Sequence, residues 1–172
     1  MHVVRELDAG DVISIKTLMI NAEETGGTLH DRLALLAPGI LAEAIVNLTK
    51  GTAVRVPQDA ALSSYIPKLE REDGRLDWTQ DAATIERRIR AYDPWPGTFT
   101  VVPDDGQEKR LKIFPPTEVV DQTLTIGEFA QSADGKLLLG CGSQALQIHW
   151  VQPEGGRRMK TEDYLRGRKR GK

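Results

Sequence analysis

Apolar residues recur at spacings of three and four from Leu29 through Leu33, Leu36, Ile40 and Ala44 to Leu48, the period that lines one face of a helix. Thr28 stands before the first of them as the expected N-cap, and Lys50-Gly51 ends the run. Pro38-Gly39 lies inside the pattern. It therefore predicts one kinked helix or two consecutive helices, because proline lacks a backbone donor and clashes with the preceding turn. Ahead of this segment, Val3-Val4 and Val12 to Lys16 read as two short strands around Leu7-Asp8-Ala9-Gly10-Asp11, whose glycine and aspartates suit a turn.

From Gly51 to about residue 70 periodicity is lost and Pro57 and Pro67 interrupt the chain, which predicts a linker between domains. Beyond it, Asp81 caps a short helix with Ile85, Ile89 and Tyr92 on one face. Asp93-Pro94-Trp95-Pro96-Gly97 stops that helix. Short apolar runs then alternate with turns: Thr98 to Val102, Leu111 to Phe114, Leu124 to Phe129, Lys136 to Leu139 and Ala145 to Val151. Strands at this spacing predict a small antiparallel barrel or sandwich. Pro103-Asp104-Asp105-Gly106 and Asp134-Gly135 are the expected hairpin turns, and Thr161 caps a closing helical turn.

With 172 residues, 40% of them hydrophobic and 28% charged, the chain can bury a core in one medium domain or two small ones. No run approaches the roughly 18 uninterrupted apolar residues of a spanning helix, and the start lacks a signal-peptide run. The expectation is a soluble, cytoplasmic protein without a membrane partner. The single cysteine, Cys141, rules out an internal disulfide framework and a multi-cysteine zinc site; in Leu139-Gly140-Cys141-Gly142 it reads as a small buried side chain at a strand end. His2, His30 and His149 show no metal-ligand spacing, and Gly26-Gly27 lacks the Lys-Ser/Thr continuation of a phosphate loop. Trp95 is expected to pack against the barrel.

The net charge of −2 is unevenly spread. Residues 157–172 hold eight basic side chains (Arg157, Arg158, Lys160, Arg166, Arg168, Lys169, Arg170, Lys172) against Glu162 and Asp163, leaving that end +6 and the rest −8. Such segregation suggests a polyanionic partner met by one end, since Lys and Arg gain affinity by displacing counterions from phosphates. The stretch from Arg166 to Lys172 is equally readable as a frayed basic tail.

Three phrases taken together, Glu6-Leu7-Asp8-Ala9-Gly10-Asp11-Val12, Ile89-Arg90-Ala91-Tyr92-Asp93-Pro94-Trp95-Pro96-Gly97 and Val151-Gln152-Pro153-Glu154-Gly155-Gly156-Arg157-Arg158-Met159, resemble the methionyl-tRNA formyltransferase family. Gly27 to Leu33, Tyr65 to Leu69 and Glu72 to Trp78 extend the likeness over nearly the whole chain. That family transfers a formyl group from 10-formyltetrahydrofolate to the amino group of initiator methionyl-tRNA. The Asn and His of its catalytic motif, Asn-x-His-x-Ser-Leu-Leu-Pro, have no counterpart here. The resemblance thus implies the C-terminal portion of such an enzyme. Residues 1–50 would end a Rossmann-like formyltransferase domain as an α/β remnant of hairpin plus helix; 51–70 would be the linker and 71–172 an OB-like antiparallel β-barrel with short helices.

It further implies roles for particular residues. Asp8 occupies the position of the aspartate that orients the catalytic histidine and handles the proton lost by the attacking amine, a sensible role for a loop carboxylate. Arg5, Glu6, Leu7 and Asp8 match the segment bordering the folate. Without the Asn and His, the chain alone is expected to be inactive and to bind no folate. Arg157, Arg158 and Lys160, in a glycine-containing loop, are the expected tRNA contacts, with Lys68, Arg87, Arg88 and Arg90 extending the basic surface. Two rivals are an amino-sugar formyltransferase or folate hydrolase relative, which shares the Leu-Asp-x-Gly hairpin, and a free-standing OB-fold RNA-binding module. A helix cut from its parent sheet would expose Leu29, Leu33, Leu36 and Ile40, so self-association through residues 28–48 is also expected.

Overall fold

The computed structural model describes residues 1–104 and 106–170. They divide into two units: Met1–Asn21 with Thr28–Lys68, and Ala22–Gly27 with Leu69–Lys172. Asp105 of the expected hairpin turn and Lys172 of the basic terminus lie outside the described residues.

The first unit is built on α1 (Gly26–Thr49), one continuous 24-residue helix with Pro38 inside it. The helix begins at Gly26, ahead of the Thr28 expected as its cap. None of its residues is buried. Leu29, Leu36 and Ile40 are half-covered, while Leu33, Leu35, Leu41, Ile45, Val46 and Leu48 are exposed; a helix apolar on all sides is ordinarily enclosed. By length and composition alone α1 suffices to cross a membrane. The uninterrupted-run criterion missed this because His30, Asp31, Arg32 and Glu43 break the apolar sequence without lowering its average enough.

The expected N-terminal hairpin does not form a ladder. One backbone hydrogen bond, from His2 N to Asp11 O at 2.9 Å, joins its arms. Val12 pairs with Val56 instead, donating to it at 2.8 Å and accepting from it at 3.1 Å. A two-stranded ribbon with no third strand is marginal. The segment after α1 is accordingly tied down: Gln58 Nε2 donates to the carbonyls of Asp8 and Gly10, each at 2.8 Å, Arg55 pairs with Asp11 at 3.0 Å, and Asp59 caps a single 3-10 turn at Ala60–Leu62.

The second unit follows the expected order closely. Asp81 accepts from Thr84 N at 2.8 Å and starts α2 (Ala82–Ala91), whose Ala82, Ile85 and Ile89 are buried. The Thr84 hydroxyl, followed by its backbone N–H, holds the Asp81 carboxyl below the ordinary carboxylate value, as a cap should. The strands are β1 (Thr98–Asp104), β2 (Gln107–Val120), β3 (Phe129–Gln131), β4 (Leu137–Gly140), β5 (Ala145–Pro153) and β6 (Met159–Lys160). They form one antiparallel sheet in the order β1-β2-β5-β4-β3, with β6 on β5. The expected strand from Leu124 shrinks to β3. Among the described residues no ladder joins the edges β1 and β3, so the expected barrel is an open antiparallel sheet. After β6 comes α3 (Thr161–Arg170); Thr161 Oγ1 donates to Ile148 O at 2.8 Å.

α2 packs on the inner face of the sheet, where Ile85 and Ile89 meet Leu111, Leu139, Leu146, Ile148 and Val151. Cys141, at the end of β4, is buried among them as expected. Burial pushes its thiol up to about 11, leaving about one thiolate in ten thousand at pH 7. Labelling of Cys141 by a thiol reagent is therefore expected to be negligible in the native chain and to rise together with unfolding of the sheet. Labelling of the folded chain at the rate of a free thiol would contradict this.

Candidate nucleic-acid interface

In a strand, alternate side chains face opposite sides. Leu111 and Ile113 point into the core, so Arg110, Lys112 and Phe114 of β2 point outward. The register fixes their neighbours: Phe99 of β1 lies opposite Lys112, Lys112 opposite Gln152 of β5, and Phe114 opposite Trp150, itself opposite Lys160 of β6. Aromatic rings and cations thus share the outer face.

They also stack. The Arg110 guanidinium sits 4.4 Å from the Phe99 ring centroid. Arg158 lies 4.4 Å from Phe114 and 5.4 Å from Trp150. Such cation–π contacts fix the plane of a guanidinium while leaving its other face accessible. Arg158 is steadied further by donating to Pro115 O at 3.3 Å, and Arg110 by pairing with Glu72 at 2.9 Å. Arg157 and Lys160 are exposed at the same end of the sheet. Among the described residues neither side chain has an ion pair or hydrogen bond.

The helical arginines are differently placed. Arg90 forms a forked pair with Glu86, Nη2 to Oε2 at 3.0 Å, and donates to Glu24 O at 2.9 Å. Its hydrogen bond to Glu86 raises its pKa above the ordinary value. Arg88 donates to Asp73 O at 2.7 Å and lies 5.1 Å from the Tyr92 ring, and Arg87 donates to Thr84 Oγ1 at 3.0 Å. Arg88 and Arg90 thus bond to backbone elsewhere in their own unit, while Arg87 stays exposed.

In the first unit, Arg5, Glu6, Leu7, Asp8 and Lys68 are all exposed. Asp8 sits in the left-handed region at φ 54°, which aspartate tolerates better than most residues. Its carbonyl is engaged by Gln58.

Arg110, Lys112, Phe114 and Trp150 were not singled out from the sequence. The signal was present: Arg110-x-Lys112-x-Phe114 alternates across a strand whose odd positions are apolar. Trp95 is corrected outright. Expected to pack against the barrel as core, it is 54% exposed, at the turn between α2 and β1.

The sequence pattern of the family described as "Formyl transferase, C-terminal domain" matches residues 68–169, and the chain belongs to that family. Over 169 residues the chain is 44% identical to methionyl-tRNA formyltransferase of Akkermansia muciniphila, covering 97% of this chain and 54% of the relative. The enzyme of the same name from Pseudoalteromonas translucida is 38% identical over 172 residues, covering 98% and 52%; that of Staphylococcus epidermidis is 34% identical over 168, covering 97% and 53%. The chain thus spans about half the length of these relatives, and with the domain match they support the C-terminal portion of a methionyl-tRNA formyltransferase. Among solved structures, HypX from Aquifex aeolicus shares the fold at a TM-score of 0.64 and 23% identity, over 94% of this chain and 29% of HypX. A HypX complex with tetrahydrofolic acid gives 0.60 at 22%, over 94% and 28%.

Proposed function

We propose that this chain is the tRNA-binding portion of a cytoplasmic formyltransferase acting in translation initiation. The outer face of its sheet meets the backbone of initiator methionyl-tRNA. The observation carrying this reading is the juxtaposition of Arg158, Lys160, Arg157, Arg110 and Lys112 with stacked aromatic rings on one face. Cations held in plane on rings present preset donors to phosphate and ribose, and an A-form stem is recognised through its backbone and shape rather than its base edges. In this reading residues 1–50 close the catalytic domain, 51–70 connect, and 71–172 form the binding domain, an OB-like barrel left open along one side. The uncovered faces of α1 support the first assignment, since the relatives' additional length supplies chain that can cover them.

Formyl transfer from 10-formyltetrahydrofolate belongs to the complete enzyme. The folate-bordering positions Arg5, Glu6, Leu7 and Asp8 would serve it there, with Asp8 orienting the acid/base partner. The basic face disfavours the rival with a small amino-sugar substrate, which needs no phosphate-reaching surface of this extent.

The test is a titration of the full chain with initiator tRNA at two salt concentrations, beside a variant with Arg157, Arg158 and Lys160 changed to alanine. The native chain is expected to bind with a steep salt dependence. The variant should bind about tenfold more weakly, with the slope of log K against log salt reduced by about 2 to 3. A thermal melt of the variant guards against an effect of lost Arg158 packing. A native chain that does not bind, or a variant with an unchanged slope, sinks the proposal.

A further inference from the structure

Trp95 sits in a cleft of about 320 Å³ formed by the Pro94-Trp95-Pro96-Gly97 turn, the start of β1 and the middle of β2. Arg71, Arg110 and Lys112 line it together with the buried Phe99, and no acidic residue does. Arg110 is committed to Phe99 and Glu72. Among the described residues, Arg71 and Lys112 have neither an ion pair nor a side-chain hydrogen bond, and both are exposed. The cleft thus combines one large planar ring open to solvent, held between two prolines, with two uncommitted cations a short distance away.

That combination selects its ligand by chemistry. A half-exposed indole favours a flat partner, and unpaired cations in a cleft that no acidic residue lines favour a phosphate, the nearby Glu72 being engaged by Arg110. A nucleotide carries both groups at the spacing of one sugar. A base inside a duplex cannot offer its face, whereas an unstacked one can. We infer that this cleft takes a single unpaired nucleotide of the bound RNA, its base stacked on Trp95 and its phosphate held by Lys112 and Arg71. The inference rests on the RNA-binding reading above and adds to the sheet's backbone contacts a place where one base leaves the stack.

The experiment has two arms on the full chain. In the first, a short single-stranded oligoribonucleotide is titrated while tryptophan emission is followed. Quenching is expected with native protein and reduced with Trp95→Phe, the difference identifying the contribution of Trp95 among the chain's three tryptophans. The part of the response lost in Trp95→Phe is expected to be absent with a fully paired RNA of the same length or with an acidic peptide. In the second arm, initiator tRNA affinity is measured for Trp95→Ala, Trp95→Phe and Lys112→Ala. Trp95→Ala should weaken binding about tenfold and Trp95→Phe less, because a ring is retained. Lys112→Ala should weaken it about threefold and lower the salt slope by about 1. Melting curves are expected to match the native chain, since Trp95 and Lys112 are exposed.

If tRNA binds and responds to the loss of Arg157, Arg158 and Lys160, yet Trp95→Ala binds as tightly as native protein, the cleft inference falls and the binding reading stands. An equal Trp95-dependent response to duplex RNA or to acidic peptide also overturns it. If native protein binds no tRNA, both fall together.

Discussion

Replacing Leu146 by alanine is expected to destabilise the sheet unit by about 3 to 4 kcal/mol, the usual cost of emptying a fully enclosed leucine site. Leu146 has no exposed surface. On β5, the strand bonded to both β2 and β4, it stands opposite Val119 on one side and Leu139 on the other. α2 closes the layer above it with Ile85 and Ile89, so little can move in to fill the void. The melting midpoint of this unit should fall by roughly 10–15 °C. The comparison is Leu35→Ala on α1, which removes the same atoms from a side chain 82% exposed and should change stability by less than about 0.5 kcal/mol. Circular dichroism melts of the two variants decide it. A Leu146→Ala midpoint within a degree or two of native would mean that the sheet core is not packed around this position.

The contrast between these leucines also explains what could be read from the sequence. α2 and most of the sheet were legible because their signals are local and agree with their burial. Asp81 caps as its type predicts, Ile85 and Ile89 recur at the helical period, and Gly135 supplies the positive φ, 87°, that its hairpin turn requires. The N-terminal hairpin was misread because a strand needs a partner. Val12 to Lys16 have the composition of a strand, but among them Val12 alone pairs its backbone, with Val56. The basic face was half seen. The loop arginines stand out as a run, while Arg110 and Lys112 lie in a strand, and their neighbours Phe99, Trp150 and Lys160 come from distant parts of the chain. Arg87, Arg88 and Arg90 form the more conspicuous run, yet each donates a hydrogen bond within its own unit. Charge in sequence therefore does not distinguish cations bonded within the fold from cations without such bonds.

The native chain is expected to self-associate as its concentration rises, and changing Leu41 and Ile45 together to glutamate is expected to abolish this. Both side chains are more than half exposed on α1, where Leu33, Ala37, Leu41, Ile45 and Leu48 follow one another at spacings of three and four. That stripe is as apolar as a core-facing seam and nothing in its own unit buries it, so a second copy offers the same stripe as a self-complementary surface. Burying a leucine or isoleucine side chain is worth about 1.5–3 kcal/mol. Losing two such contacts should raise a dimer dissociation constant by at least about 100-fold, and the introduced like charges would oppose each other across the two-fold axis. Sedimentation velocity over a concentration series reads the outcome. Native protein should drift to larger species and the double variant should stay monomeric. A polypeptide corresponding to the first half of a relative, if it covers this face, should suppress the drift of the native chain when added in excess. A native chain that sediments as a monomer at every concentration would remove the ground for all three expectations, since α1 would then be stable in water with its apolar faces bare.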